Sequence, residues 1–232
     1  MSTPKTLFKV NGRPILYWII KTFSSFDLAP TIVINPKDKH EIINCLDKYN
    51  LKYELVMQFS PLGMGDAVLC FETSRMYHDV DHILLVWGDI PFIQDKTLNV
   101  LVKQHLYKEN DLTFVTKQSR FPYTVIERDE KGDVIGLLET RELKIAPPLV
   151  GERDIGLFIF KKELIMGMLS KNLAGKYGGE TQEHGFLYLI SHLVKAGAKV
   201  EALEIATDLD LISLNTTSDI ETLSNFVVNQ KV

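Results

Sequence analysis

Cysteine is nearly absent: Cys45 and Cys70 are the only two in the 232 residues. Each falls inside an apolar-periodic segment, so two buried, reduced thiols are expected and a disulfide framework or cysteine-built zinc site is not. No apolar run approaches the ~20 residues that a membrane-spanning helix needs; Ile83 to Trp87 is typical of the longest. No secretory core stands behind Met1-Ser-Thr-Pro-Lys5. Strong charge of either sign is missing too. With 26 Lys and Arg against 30 Asp and Glu, the net charge is -4, which argues against a broad nucleic-acid or anionic-membrane surface. Local phosphate binding by one or two lysines stays open. Repeats, low-complexity tracts and Pro/Gly/Ser linkers are absent. There is no Gly-x-Ser-x-Gly elbow, Walker loop or dinucleotide glycine fingerprint. The six histidines show no ligand spacing with Cys or carboxylates, so they are expected at the surface or bonded to partners. The expected compartment is the cytoplasm.

What remains is ordinary globular composition, 45% hydrophobic and 24% charged, in a chain long enough for one generous α/β domain. The first half alternates helical and short apolar runs. Helices are expected at Pro14 to Phe26, Lys37 to Tyr49, Gly65 to Tyr77 and Lys96 to Tyr107. Strands are expected at Thr31 to Ile34, Tyr53 to Met57 and Ile83 to Trp87. That alternation implies right-handed βαβ units and a doubly wound, mostly parallel, Rossmann-like sheet. The rhythm then changes to a mixed β/α extension. Strands are expected at Leu112 to Thr116, Tyr123 to Glu127, Val134 to Leu138, Ile155 to Phe160, Val200 to Glu204 and Leu209 to Leu214. A charged turn, Asp129 to Asp133, joins two of them. Gly178-Gly179 reads as a flexible loop before a helix from about Glu183 to Ala196, and Ser218-Asp-Ile-Glu221 has the capping-box pattern of a final helix.

Ligands of open α/β sheets bind beyond the carboxyl ends of the strands. Gln58, Gly88-Asp89 and Asn215 fall at such ends. Asp89 closes an apolar run, where an uncompensated carboxylate is expensive. Mg²⁺, which uses one or two carboxylates plus substrate phosphates, is a natural partner. The alternative is a carboxylate that caps the turn before Pro91. Leu62-Gly-Met-Gly-Asp-Ala67 leads into a helix, and its glycines allow close backbone approach to a ligand or simply a structural turn. Lys5 is either a phosphate contact or a solvated charge.

Taken in order, these segments resemble a known family, the sugar-1-phosphate nucleotidyltransferases. Within it the chain is most similar to the uridylyltransferase domain of bacterial N-acetylglucosamine-1-phosphate uridylyltransferases. Thr3-Pro-Lys-Thr-Leu-Phe-Lys-Val-Asn-Gly-Arg-Pro-Ile-Leu16 resembles the family's PKxLxxVxGKPML. Gln58 with Leu62 to Ala67 resembles Q…LGTGHA, and Leu85 to Pro91 resembles YGDxP. Tyr123 to Glu139, Glu152 to Phe160 and Leu214 to Asp219 resemble YGRI…GxVxxIVE, ExNTGIY and VNTPED.

The resemblance implies a single nucleotidyltransferase domain over 1–232, with a nucleotide-binding half at 1–110 and a sugar-binding half at 111–232. It implies that Lys5 contacts phosphate and, with Asp89, is catalytic. Gln58, Gly63, Met64 and Gly88 then belong to the nucleotide site, and Thr124, Glu139 and Asp154 to the sugar site. Asp89 and Asn215 would hold Mg²⁺. The implied substrates are a nucleoside triphosphate, UTP, and a sugar 1-phosphate, N-acetylglucosamine 1-phosphate. No nucleic-acid or membrane partner is implied, and an oligomer is left open. Two other readings stand beside this one: a catalytically weak binding or regulatory protein on the same fold, and a nucleotidyltransferase for a non-sugar phosphate acceptor.

The chain departs from the family at several places. Met64 stands for a Thr, Thr124 for a Gly and Asp154 for an Asn. The Asp of the family's YYLTD is not evident in Glu183 to Ile190. The family's first strand and its LAAGxGTRM loop have no counterpart. That strand lies mid-sheet, so either further residues precede Met1 or another segment is expected to fill its place. The acetyltransferase β-helix of the bifunctional enzymes is also absent.

Overall fold

The computed structural model of the chain describes residues 4–213. A short hairpin of β1 (Lys9–Val10) and β2 (Arg13–Pro14) leads into α1 (Ile15–Phe23). Pro14 starts α1 at no cost, because a first-turn N–H has no intrahelical partner anyway. Strand β3 (Thr31–Ile34), α2 (Lys39–Leu46), β4 (Glu54–Met57), α3 (Met64–Leu69), β5 (His82–Val86) and α4 (Asp95–Lys108) follow. The second half supplies β6 (Leu112–Arg120), β7 (Thr124–Arg128), β8 (Val134–Glu139), β9 (Val150–Lys161), α5 (Lys162–Leu169), α6 (Leu189–Lys195) and β10 (Val200–Glu204).

Four strands form the central sheet in the order β10-β6-β9-β5. The α/β class stands, but the pairing is mixed. Among the described residues, β3–β4 and β10–β6 pair parallel. Strand β9 runs antiparallel to both its neighbours. Its side chains alternate between two cores. Phe158 and Phe160 pack with α5 and α6 on one face, and Leu157 and Ile159 with α1 and α4 on the other. A third core joins α1 and α2 to the β3–β4 pair.

Among the described residues, β3 pairs only with β4 and β5 only with β9. No described segment occupies the place between them.

Several expected elements differ. The helix from Gly65 stops at Leu69 and continues as 3₁₀ turns at Cys70–Thr73 and Tyr77–Asp79. The helix expected from Glu183 begins at Leu189, because His184 is held in an isolated bridge to Tyr177. Residues 208–211 make a turn, and no strand forms over 209–213. The cause is Asp210, which is fully buried. Its carboxylate accepts from Gln94 N at 2.7 Å, Thr97 Oγ1 at 3.0 Å and Thr207 N at 2.7 Å. It thereby caps the start of α4 from far along the chain. The Gly178-Gly179 loop is pinned: the Glu142 carboxylate accepts from the Glu180 and Thr181 amides at 2.9 and 3.2 Å. Cys45 and Cys70 are free thiols but only half-buried. Residues 214–232, with Asn215 and the expected final helix, lie outside the described residues. Among the described residues no helix is long and apolar enough to cross a membrane.

Candidate active site

The carboxyl end of β5 carries Trp87, Gly88 and Asp89 into the junction of two cavities. One, of about 740 Å³, lies between β3 and β5 and reaches Met64, Gly88 and Asp89. The other, of about 380 Å³, is lined by Trp87, Asp89, Tyr123, Arg141 and Arg153. Asp89 and Trp87 belong to both. Burial raises the Asp89 pKa above the ordinary carboxylate range, and the positive charges of Lys5 and Arg153 oppose that rise. The half-buried carboxylate therefore sits where a cation is favoured. Lys5 itself is exposed, and Thr6 lies against Gly88.

Gln58 sits just beyond β4, but its amide is engaged. Its Nε2 donates to Gly63 O at 3.0 Å and to Asp66 Oδ2 at 2.9 Å. Both donors thus shape the loop, and the carbonyl oxygen is what the side chain offers outward. Gly63 has φ +113, and a Cβ there would lie 2.5 Å from His184 O. Gly65 likewise lies against Gly185 O. The two glycines are therefore required by contact with the 183–185 segment. His184 N donates to Leu62 O at 2.6 Å and Gly65 N to His184 O at 2.9 Å. Met64 remains exposed.

Thr124 and Asp154 are fully buried and bonded to each other. Thr124 Oγ1 donates to Asp154 Oδ1 at 2.6 Å, and Gly156 N donates to Oδ2 at 3.0 Å. Burial pushes the Asp154 pKa up; those donors and Arg153 push it down. The two departures from the resembled family are thus one coupled pair. Glu139 at the end of β8 is pushed up to about 7 by burial, then by the charges of Glu142 and Asp154. Lys5, Asp89, Glu139 and Asp154 share one electrostatic neighbourhood, through Asp89 and the Tyr123 hydroxyl. Gln58, Gly63 and Met64 form a separate shelf at the end of β4, joined to it by the first cavity.

Sequence reasoning missed Arg153, Arg141 and Trp87. Arg153 lies over the Tyr123 ring, with Cζ 4.7 Å from its centroid, and donates from Nη2 to the Tyr123 hydroxyl at 3.3 Å. The signal was strand alternation: with Glu152 and Asp154 buried in β9, the residue between them must face the other way. Trp87 is placed by Gly156, whose φ is +77 and where a Cβ would lie 2.6 Å from the indole.

A divalent cation would find one carboxylate, Asp89. Among the described residues no cluster of three His, Cys, Asp or Glu could cage a metal. That donor set fits Mg²⁺, which takes few protein ligands and completes its shell with substrate phosphates and water.

Residues 1–155 match the profile of the MobA-like NTP transferase domain. The chain belongs to this family. It is 28% identical over 224 residues to the bifunctional protein GlmU of Thermodesulfovibrio yellowstonii, covering 94% of this chain and 47% of that protein. The GlmU of Caldicellulosiruptor saccharolyticus is 23% identical over 231 residues, with 98% and 48% covered. The chain thus spans about half the length of these curated relatives. Among solved structures, a putative glucose-1-phosphate thymidylyltransferase from Bacillus anthracis superposes with TM-score 0.72 at 13% identity, covering 99% of this chain and 89% of that one. HddC from Yersinia pseudotuberculosis gives 0.68 at 16%, covering 98% and 91%. At these identities the likeness is one of fold, the nucleotide-diphospho-sugar transferase fold.

Proposed function

We propose that this MobA-like domain transfers a nucleotidyl group, UMP from UTP, to a sugar 1-phosphate, with N-acetylglucosamine 1-phosphate as the acceptor. The observation that carries this reading is the Asp89 carboxylate, which lines both cavities at the end of β5 with Lys5 and Arg153 beside it. One cavity would then serve the nucleotide and the other the acceptor. The half from 1–110 would hold the triphosphate and 111–232 the sugar.

The acceptor's phosphate oxygen attacks the α-phosphorus, a bond to that oxygen forms, and pyrophosphate leaves with the bridging oxygen. No protein nucleophile is needed, only positioning and charge neutralisation. Lys5 would neutralise phosphate. Arg153, fixed on the Tyr123 ring, would steady the acceptor's phosphate. Glu139, half-protonated near neutral pH, can donate to or accept from a sugar hydroxyl. Asp89, with Asn215, would hold Mg²⁺, which when bound would supply charge neutralisation at the phosphates. Gln58 would present its carbonyl oxygen to the base, a match to the uracil N3–H.

The test is pyrophosphate release with a panel of nucleoside triphosphates and acceptors, in the presence and absence of Mg²⁺. UTP with N-acetylglucosamine 1-phosphate is expected to be the fastest pair. Release with an alditol phosphate or choline phosphate instead would change the acceptor class. No release with any pair, together with measurable UTP binding, would leave a binding protein.

A further inference from the structure

We propose that His184 is a positioning residue for base selection. Neutral, it leaves the Asp66 carboxylate to Gln58; protonated, it draws that carboxylate to its own Nε2 and frees the Gln58 amide to turn over. This role rests on the reading in which Gln58 meets the base.

The first link is Gln58. Its backbone N–H is spent on Ile34 O, and its Nε2 donates to Gly63 O and to Asp66 Oδ2. An amide held by both its hydrogens presents only its carbonyl oxygen. Of the two acceptors, Gly63 O is backbone and fixed. The Asp66 carboxylate is on a half-buried side chain and accepts no second hydrogen bond among the described residues. It is the acceptor that can be withdrawn.

The second link is His184. It is only 4% exposed, and its Nε2 has no hydrogen-bond partner among the described residues. Its backbone is clamped to the loop on both sides, N to Leu62 O and O to Gly65 N. The clamp sets the ring on the first turn of α3, where a Cβ at Gly65 would lie 2.7 Å from Nε2. Asp66 is the next residue. A buried nitrogen without a partner is costly. The imidazolium donates from both nitrogens, so protonation makes Nε2 a donor beside a carboxylate.

Six titratable side chains surround the ring. Asp66 acts from α3, Lys176 and Tyr177 from the loop after α5, and Tyr188 from just ahead of α6. Glu183 is the chain neighbour, with its Cβ against Gly63, and Glu139 of β8 reaches Gly185. Lys176 is tethered to Leu169 O and Lys171 O at 2.9 and 3.1 Å. Burial, then the Lys176 charge, hold the His184 pKa below its ordinary 6.5, and Asp66 opposes them. The ring is therefore neutral at pH 8 and gains its proton only in acid solution.

With Asp66 taken, Gln58 keeps one hydrogen bond, to Gly63 O, and its NH₂ can swing outward. A carbonyl oxygen accepts the uracil N3–H. An NH₂ donates to the cytosine N3, which carries no hydrogen. Base choice then moves from UTP toward CTP as pH falls.

Two measurements test this. The first needs no nucleotide: NMR follows the Gln58 side-chain amide and the His184 ring from pH 8 to pH 5.5. The Gln58 NH₂ resonances are expected to move with the His184 ring, on a midpoint below 6.5. They should stay still in His184→Gln, whose amide is neutral throughout. A Gln58 amide that does not move, or moves equally in His184→Gln, overturns the proposal. If that variant does not fold, Asp66→Asn removes the charge for which both side chains compete and should abolish the shared midpoint; a midpoint that survives it overturns the proposal too. The second measurement is the ratio of UTP to CTP affinity, in which titrations common to both nucleotides cancel, that of Glu139 included. The ratio should fall about three- to tenfold between pH 8 and pH 5.5, the worth of one hydrogen bond. In His184→Gln it should hold its pH 8 value. A wild-type ratio independent of pH overturns the selection role. Coupled titration of Gln58 and His184 in a chain that binds neither nucleotide overturns that role as well, and places the failure in the reading of Gln58 as a base contact rather than in the relay.

Discussion

Strands β5 and β9 are neighbours in one sheet and both carry unbroken apolar runs, yet their burial differs. In β9 the residues Ile155, Leu157, Phe158, Ile159 and Phe160 are 0–4% exposed. Every residue of β5 is only half-buried. Strand β9 is paired on both sides and covered on both faces; β5 is paired on one side and borders a cavity on the other. Apolar composition thus sets a strand's capacity for burial, and neighbours decide how much of it is realised. The division also separates tasks. The tightly packed second half holds the frame, while Asp89, Gly88 and the Gln58 loop stand around the open space.

Breaking the frame should have the largest effect. Phe158 is fully buried, with ring contacts to Trp87, Phe114 and Phe186. Phe158→Ala should cost about 3–5 kcal/mol in urea denaturation. Asp89→Asn belongs to the other side of the comparison. It should lower turnover by about 10²-fold or more while the melting temperature holds or rises, because burial disfavours the charged form. A fall in melting temperature would assign Asp89 to the frame.

Glu139→Gln sharpens the division through pH. The folded pKa of about 7 lies above the unfolded value of 4.5. Stability from the protonated form is complete below pH 4.5 and is lost as pH rises through 7. The variant should therefore match the wild type at pH 4 and be more stable at pH 8, by on the order of 2 kcal/mol. An equal offset at both pH values would refute the burial of its charge.

Gln58→Ala should cost about 1 kcal/mol through its two lost hydrogen bonds and lower discrimination of UTP from CTP. A stability cost without the selectivity change would confine Gln58 to the loop. The smallest effect is expected from Leu84→Ala in β5, about 1 kcal/mol or less for a half-buried side chain. A cost equal to that of Phe158→Ala would mean that the space beside β5 is closed in solution.

Much of this was legible in the sequence. The helix–strand alternation up to Lys108, the β7–β8 hairpin and β10 follow from periodicity and turn chemistry, since those signals are local. Asp89 was legible as a carboxylate ending an apolar run. The late turn at 208–211 was not, because its cause is a carboxylate bonded to a helix start in the first half. Thr124 and Asp154 looked like two separate departures from a family pattern. Only the packing of β7 against β9, which brings the two side chains into hydrogen-bond contact, shows that they satisfy each other. The glycines at 63 and 65 allowed two readings, ligand approach or packing, and the answer lay in a segment 120 residues away.

The Asp210 latch has a consequence in time. The first turn of α4 receives its cap from a residue 116 positions later. At ~5–20 residues per second of synthesis, that helix end waits roughly 6–23 s before its partner is even made. Strand β5 waits likewise for β9. A nascent chain halted before residue 150 would leave β5 without its β9 partner, an exposed edge that invites pairing with other chains. Assembly of the half that bears Asp89 is therefore governed by the half that is translated last.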